Sequence, residues 1–219
     1  MIRRTMLFTV REDAPAADVD HLEALTRATV GEIEGVTRIA VGRNEAPGPW
    51  SHVWDMDVAD VETVRRYGPS PYHMDFLVPL YNPASETAVV SRLDYLWYKP
   101  IASEAEGVDD PIRRVMFFQM DDSVTEAQTA ELEELLQELG RRVDGLPNWA
   151  LSRRLSEGNR SAWTHCWETE FDGPAGLKAY SDDVFHRETV TPYFLDPDKK
   201  IVKGAALGIY RPGSALIAG

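Results

Sequence analysis

Nine residues near the start of the chain, IRRTMLFTV (2–10), return as IRRVMFFQM (112–120), with Ile, Arg, Arg, Met and Phe at the same places. Two further blocks return in the same order. WSHVWDMD (50–57) comes back as WTHCWETE (163–170), and YKP (98–100) as YRP (210–212). The offsets are 110, 113 and 112 residues, so the halves differ only by a few loop residues. A repeat of this length makes each half a domain-sized unit of about 100 residues, and it constrains the fold more than any single motif does.

Within each half the hydrophobic period changes in a readable way. Residues 2–10 alternate and are rich in β-formers, as a half-buried strand does. Residues 16–34 place Val19, Leu22, Leu25, Thr26, Thr29, Val30 and Ile33 on one helical face, and Gly35 supplies a stop. VTRIAVGR and WSHVWDMD read as two strands joined by the loop NEAPGP. Short helical pieces follow around 60–67 and 70–82, interrupted by Pro69 and Pro71, and then a strand near 87–98. The second half repeats this order: strand 112–120, helix 124–143, strands 146–154 and 162–171, helical pieces 173–195, strand 200–210.

The order βαββαβ, taken twice, predicts an α+β protein of two ferredoxin-like modules. The expected boundaries are 1–100 for the first module and 112–212 for the second, with the acidic segment IASEAEGVDDP (101–111) as a linker. A four-stranded sheet with helices on one side leaves its other face to cover. Two halves in one chain can meet this need as a dimeric-type α/β barrel within one chain, either as a monomeric pseudo-dimer or as a homodimer of such chains.

Composition narrows the partners. The formal charge of −13 over 219 residues opposes a nucleic acid or an anionic membrane surface, since both require a basic footprint. No run of about 18 apolar residues is present, and the opening MIRRTMLFTV lacks the long apolar stretch of a secretory signal. The single cysteine, Cys166, fits a reducing compartment and a cytoplasmic protein.

Four of the five histidines form two matched pairs. His52 and His73 stand 21 residues apart, as do His165 and His186; a tyrosine, Tyr67 or Tyr180, precedes the second histidine of each pair by six. An opening IRR.M.F strand, a helix, a strand carrying W[ST]H.W[DE] and a following Y.....H resemble the stress-responsive dimeric A/B barrel (Dabb) family, taken twice. In the olivetolic acid cyclase-type modules of that family, a Tyr and a His at this spacing carry out a cofactor-free aldol cyclisation. The resemblance implies Tyr67 and His73, or Tyr180 and His186, as acid/base pairs, with His52 or His165 lining the pocket beside them. It also marks departures. Arg4 and Arg114 stand where the cyclase-type pattern has a histidine, which implies affinity for a carboxylate or phenolate. Phe76 follows His73 by three as the pattern expects, whereas Thr189 holds that place after His186, which favours the first half if one alone is active.

The chemistry is coherent with these residues. An imidazole with an ordinary pKa of about 6.5 takes a proton from a phenol or from a carbon beside a carbonyl. A tyrosine hydroxyl donates to the carbonyl oxygen as charge builds there. The leading expectation is therefore a cofactor-independent lyase or cyclase acting on a small hydrophobic, aromatic or polyketide-like substrate, by aldol or retro-aldol steps. The spacing does not fix the direction. The alternatives are a non-catalytic small-ligand or stress-response barrel, and a haem-dependent or cofactorless oxygenase. By the same token the histidines are either acid/base groups or struts between strand and helix. Trp50, Trp54, Trp163 and Trp167, expected on the same strand faces as the histidines, are either core or an aromatic wall for a flat substrate. Neither a metal site nor a cofactor is expected: the histidine spacing is not that of zinc motifs, and no P-loop, dinucleotide turn or G-x-S-x-G elbow is present.

Overall fold

A computed structural model describes residues 1–217. The first half runs β1 (Ile2–Val10), α1 (Ala16–Glu32), β2 (Val36–Arg43), β3 (His52–Val58), α2 (Val61–Tyr67), a π-helical turn His73–Leu77, α3 (Val78–Tyr81) and β4 (Val90–Ala105). The second runs β5 (Ile112–Met120), α4 (Glu126–Arg142), β6 (Asn148–Arg154), β7 (His165–Phe171), α5 (Pro174–Asp182), a π-helical turn His186–Val190, α6 (Pro192–Leu195) and β8 (Val202–Tyr210). Each half is thus a βαββαβ module, as the repeat predicts, and the fold is α+β. Among the described residues no helix is long and apolar enough to cross a membrane.

In the first module β1 lies between β3 and β4, both antiparallel to it, and β2 flanks β3. The register sets Arg4 opposite Met56 and Trp97, Met6 opposite Trp54 and Tyr95, and Phe8 opposite His52 and Leu93. Because side chains alternate, these residues share the face that receives the helices. Arg3, Thr5 and Leu7 point the other way, and there Arg3 pairs with Asp57 at 2.6 Å and Arg38 joins the same carboxylate. The second module repeats this register with Arg114, Met116 and Phe118 opposite Thr169, Trp167 and His165 on β7 and opposite Ile209, Leu207 and Ala205 on β8. On its far face Arg113, fully buried, binds both Glu168 and Glu170. Glu170 also accepts from Asn148 and from the backbone N–H of Leu216 at 2.7 Å, which fastens the C-terminal residues to β7.

Helix α1 buries Leu22, Thr26 and Thr29, whereas Val30, assigned by spacing to the same face, is 42% exposed. After it the chain turns at Gly35, which has φ +88° and where a Cβ would collide with the Thr63 side chain. Asp60 caps α2 by accepting from the Thr63 backbone N–H at 2.7 Å, and Thr125 with Gln128 forms a capping box on α4.

Two boundaries differ from the sequence reading. The expected linker over 101–111 is in part a strand, because β4 continues to Ala105. The compact units divide after Lys99, and residues 155–161 pack with the first unit although they lie in the second repeat. Acidic composition did not prevent strand formation at Glu104, whose carboxylate meets Arg141 at 2.8 Å. The irregular residue run 155–161 is held by tertiary hydrogen bonds that no local pattern announces.

Candidate active site

The first unit contains a cavity of about 500 Å³ between the helix-facing side of its sheet and the segment 64–83, a size suited to a small organic ligand. Strand β1 contributes Arg4 and Met6, β3 Trp54, β4 Leu93, Tyr95 and Trp97, and the helical segment Tyr67, His73, Leu77 and Tyr81. Tyr67 and His73 come together as expected, their ring centroids 4.6 Å apart. His73 opens the π-helical turn, in which the Val78 N–H donates to the His73 carbonyl. Pro79 follows at once; its missing N–H and ring bulk disfavour a regular ladder here, and such wide turns recur at functional sites.

The protonation states follow from the surroundings. His73 Nδ1 lies 2.8 Å from the Gly68 carbonyl oxygen. A carbonyl only accepts, so Nδ1 carries the hydrogen and Nε2 keeps its lone pair. Burial, and then the nearby Arg4 charge, lower the His73 pKa below its ordinary 6.5, so the ring is neutral at pH 7. Burial pushes the Tyr67 hydroxyl up to about 12, which keeps it a donor. That hydroxyl is buried and has no hydrogen-bond partner among the described residues, and the same holds for Trp54 Nε1 and Arg4 Nη1. Three such polar groups on residues that line one cavity suit a polar ligand.

Arg4 is the least expected of the three. Only 5% exposed, it has no ion-pair partner among the described residues and is ringed by Trp54, Tyr95, Tyr67 and Trp97 at 4.8, 4.9, 5.5 and 5.8 Å from its guanidinium carbon. Cation–π contacts offset part of the cost of burying the charge.

The second unit holds a counterpart of about 260 Å³, lined by Arg114, Tyr180 and His186. Here the tyrosine is already engaged: Trp167 Nε1 donates to the Tyr180 hydroxyl at 3.1 Å. Arg114 Nη2 rests on Met116 Sδ at 3.3 Å, with the Tyr180 ring centroid 5.3 Å from its guanidinium carbon. Tyr95 and Trp97 have become Leu207 and Ile209. His186 is driven down to about 4 by burial and Arg114.

The remaining sequence candidates lie elsewhere. His52 stacks on Phe8 at 5.1 Å, is held by Ser51 through Nδ1 at 2.7 Å, and has Glu23 of α1 3.9 Å from Nε2. His165 repeats this with Phe118, Thr164 and Glu133 of α4, the last at 3.1 Å. Neither lines either of these two cavities; His165 bonds strand to helix, whereas His52 Nε2 approaches Glu23 without a hydrogen bond. Trp50 and Trp163 precede their strands rather than sharing the histidine face, with Trp50 under Arg92 and Trp163 against Phe117. Phe76 is half exposed and packs on Tyr72, outside the cavity lining. Sequence reasoning missed Tyr95 and Trp97, although their alternation in LDYLWYKP could have shown them. It also missed Gly158 and Arg160, which reach the cavity from residues 155–161 and carry no local signal.

The sequence matches the Stress responsive A/B Barrel Domain (Dabb) twice, over residues 2–94 and 112–202. The chain belongs to the Dabb family. No curated protein matches this Dabb chain. Among solved structures it is similar to an anthrone oxidase-like protein, at 14% identity and a TM-score of 0.67 over 98% of this chain and 91% of the other. It is also similar to a monooxygenase-like protein of Fusobacterium nucleatum, at 12% identity and a TM-score of 0.63 over 98% and 95%. At these identities the likeness is one of fold. A Dabb protein from Mesorhizobium loti, 22% identical, matches 46% of the chain over 97% of its own length, with a TM-score of 0.40.

Proposed function

We propose that the first module is a cofactor-independent lyase or cyclase in which Tyr67 and His73 act as an acid/base pair. The observation that carries this reading is the pairing of a neutral His73, its Nε2 carrying the lone pair, with a buried Tyr67 hydroxyl that lacks a partner among the described residues. In this scheme Nε2 takes a proton from a carbon next to a carbonyl of a small aromatic or polyketide-like substrate. Tyr67 donates to the carbonyl oxygen as it gains charge. The resulting enolate closes a C–C bond by aldol addition; in the reverse direction, a β-hydroxy carbonyl loses its hydroxyl proton and the bond breaks. Tyr95, Trp97 and Trp54 supply flat walls for such a substrate. In this scheme Tyr180 and His186 stand outside the catalytic role, since their cavity is about half the size of the first and has Leu207 and Ile209 where the first has Tyr95 and Trp97. The acidity of the chain supports a small molecule as partner rather than nucleic acid, and its single cysteine supports a cytoplasmic setting.

The anthrone oxidase-like and monooxygenase-like neighbours raise a second reading, in which the same carbanion reacts with dioxygen. Turnover under strict exclusion of oxygen separates the two. The test of the pair itself is turnover of the substrate by Tyr67→Phe and His73→Gln, each checked for folding by circular dichroism. A loss of about 10²–10⁴ in kcat/KM is expected for each; turnover retained by both variants contradicts the assignment.

A further inference from the structure

The first cavity carries a charge pattern opposite to that of the whole chain. No aspartate or glutamate lines it, although the formal charge is −13, and two arginines do: Arg4 at its back and the exposed Arg160. Arg160, like Arg4, makes no ion pair among the described residues. Two unneutralised guanidiniums on one apolar, aromatic cavity form a site for an anion.

Arg160 reaches the cavity because residues Leu155–Ser161 are strapped to β4. Asn159 brackets Trp97 in both directions: the Trp97 N–H donates to Asn159 Oδ1 at 2.8 Å, and Asn159 Nδ2 donates to the Trp97 carbonyl at 2.8 Å. The Leu155 N–H donates to the same carbonyl at 2.9 Å. Between them Gly158 has φ +72°, and a Cβ there would stand 2.8 Å from Val64 and 3.0 Å from Trp97, so only glycine lets the segment come this close. In the corresponding loop of the first repeat, a Cβ on Gly48 would meet nothing within 4 Å.

From this geometry we infer that Arg160 and Arg4 together bind the carboxylate of the substrate, which is therefore an aromatic or polyketide-like carboxylic acid. Arg160 is a specificity-determining residue contributed by the second repeat to the first repeat's site. The inference rests on the first cavity being the substrate site, but it concerns binding and not the acid/base step. Arg's planar fork suits a carboxylate, and the aromatic walls suit the ring or chain that bears it.

The test is calorimetric titration of the full chain with 2-naphthoate and with its uncharged analogue 2-acetylnaphthalene. The wild type is expected to bind the acid about ten-fold or more tightly than the ketone. Arg160→Ala is expected to cut that preference several-fold, Arg4→Met to abolish it, and Gly158→Ala, which unseats the strap, to resemble Arg160→Ala. Arg160 is exposed and unpaired, so its variant keeps the fold. Tyr67→Phe and His73→Gln are expected to keep the preference while losing turnover, which separates failure of this inference from failure of the catalytic reading. Equal affinity of the wild type for both probes, no binding of the acid, or an unchanged preference in Arg160→Ala overturns the proposal.

Discussion

The two modules share register, helix order and even the π-helical turn that starts at the candidate histidine, yet their cavities are finished differently. In the first, Tyr67, Trp54 and Arg4 keep unpaired polar atoms around about 500 Å³. In the second, Trp167 closes on Tyr180, Leu207 and Ile209 replace two aromatic walls, and about 260 Å³ remains. One hydrogen bond contributes to this contrast: the Trp167 indole N–H meets the Tyr180 hydroxyl oxygen, which still has its own proton to donate, while in the first module Trp54 Nε1 and the Tyr67 hydroxyl both lack a partner among the described residues. Duplication allows such a division, because one copy can narrow its cavity while the other keeps a wider one; Arg114 Nη1 and His186 Nδ1 of the second module also lack a partner among the described residues.

The largest effects that could break the comparison are catalytic. Losses of about 10²–10⁴ in kcat/KM are expected for Tyr67→Phe and His73→Gln, against changes within about two-fold for Tyr180→Phe and His186→Gln, which make no contact with substrate in this scheme. Equal losses in the two halves would show the second cavity to be working as well.

Next come the buried arginines. Arg113→Met strands Glu168 and Glu170 in the core and is expected to cost about 3–5 kcal/mol in urea denaturation. Arg4→Met removes a buried guanidinium without a protein carboxylate, so the expected loss is below about 1 kcal/mol, or stability rises. These two residues sit at neighbouring positions of equivalent strands, on opposite faces. A large loss on replacing Arg4 would make it a structural group.

A smaller effect distinguishes the two strand histidines and the helix glutamates they face. Burial alone would raise the Glu133 carboxyl, but hydrogen bonds from His165 and Arg153 outweigh it and hold the pKa near 2, below the ordinary 4.5. A depressed carboxylate stabilises the fold above pH 4.5, and this contribution is lost as pH falls from 4.5 towards 2. Glu133→Gln is expected to cost on the order of 2 kcal/mol at pH 7 and to flatten the acid limb of the stability curve. Glu23→Gln, with its longer 3.9 Å approach to His52, is expected to cost less.

The pH–rate profile sharpens the catalytic side. Because His73 titrates below 6.5 and must be neutral to act as base, kcat/KM is expected to stay level above pH 6.5 and to fall on the acid side of it. Tyr67, held up at about 12, adds no alkaline limb in the range usually assayed. A rise in kcat/KM on acidification through pH 6 would assign the base elsewhere.

Much of the architecture was legible because the repeat carries large, rare side chains. Trp54 and Trp167, His52 and His165, and the two IRR openings pointed to the duplication and to the strand order. The Tyr67/His73 encounter was legible too, through family resemblance and spacing. Contacts made over long sequence separations were not. Nothing local in SEGNR states that Asn159 will bracket Trp97, 62 residues away, or that Arg160 will reach the first cavity. Alternation also misled where a residue stood just outside its strand, as Trp50 and Trp163 do, and it could not tell a histidine that lines a cavity from one that leans on a helix glutamate, as His52 and His165 do.

The central claim is that the first cavity is the site and the second is core. A crystal structure of the chain soaked with 2-naphthoate tests it most directly. The expected result is ligand density between Trp54, Tyr95 and Trp97, with a carboxylate oxygen within hydrogen-bonding distance of Arg4 and none in the cavity of Tyr180 and His186. Ligand in the second cavity with the first left empty would contradict the account.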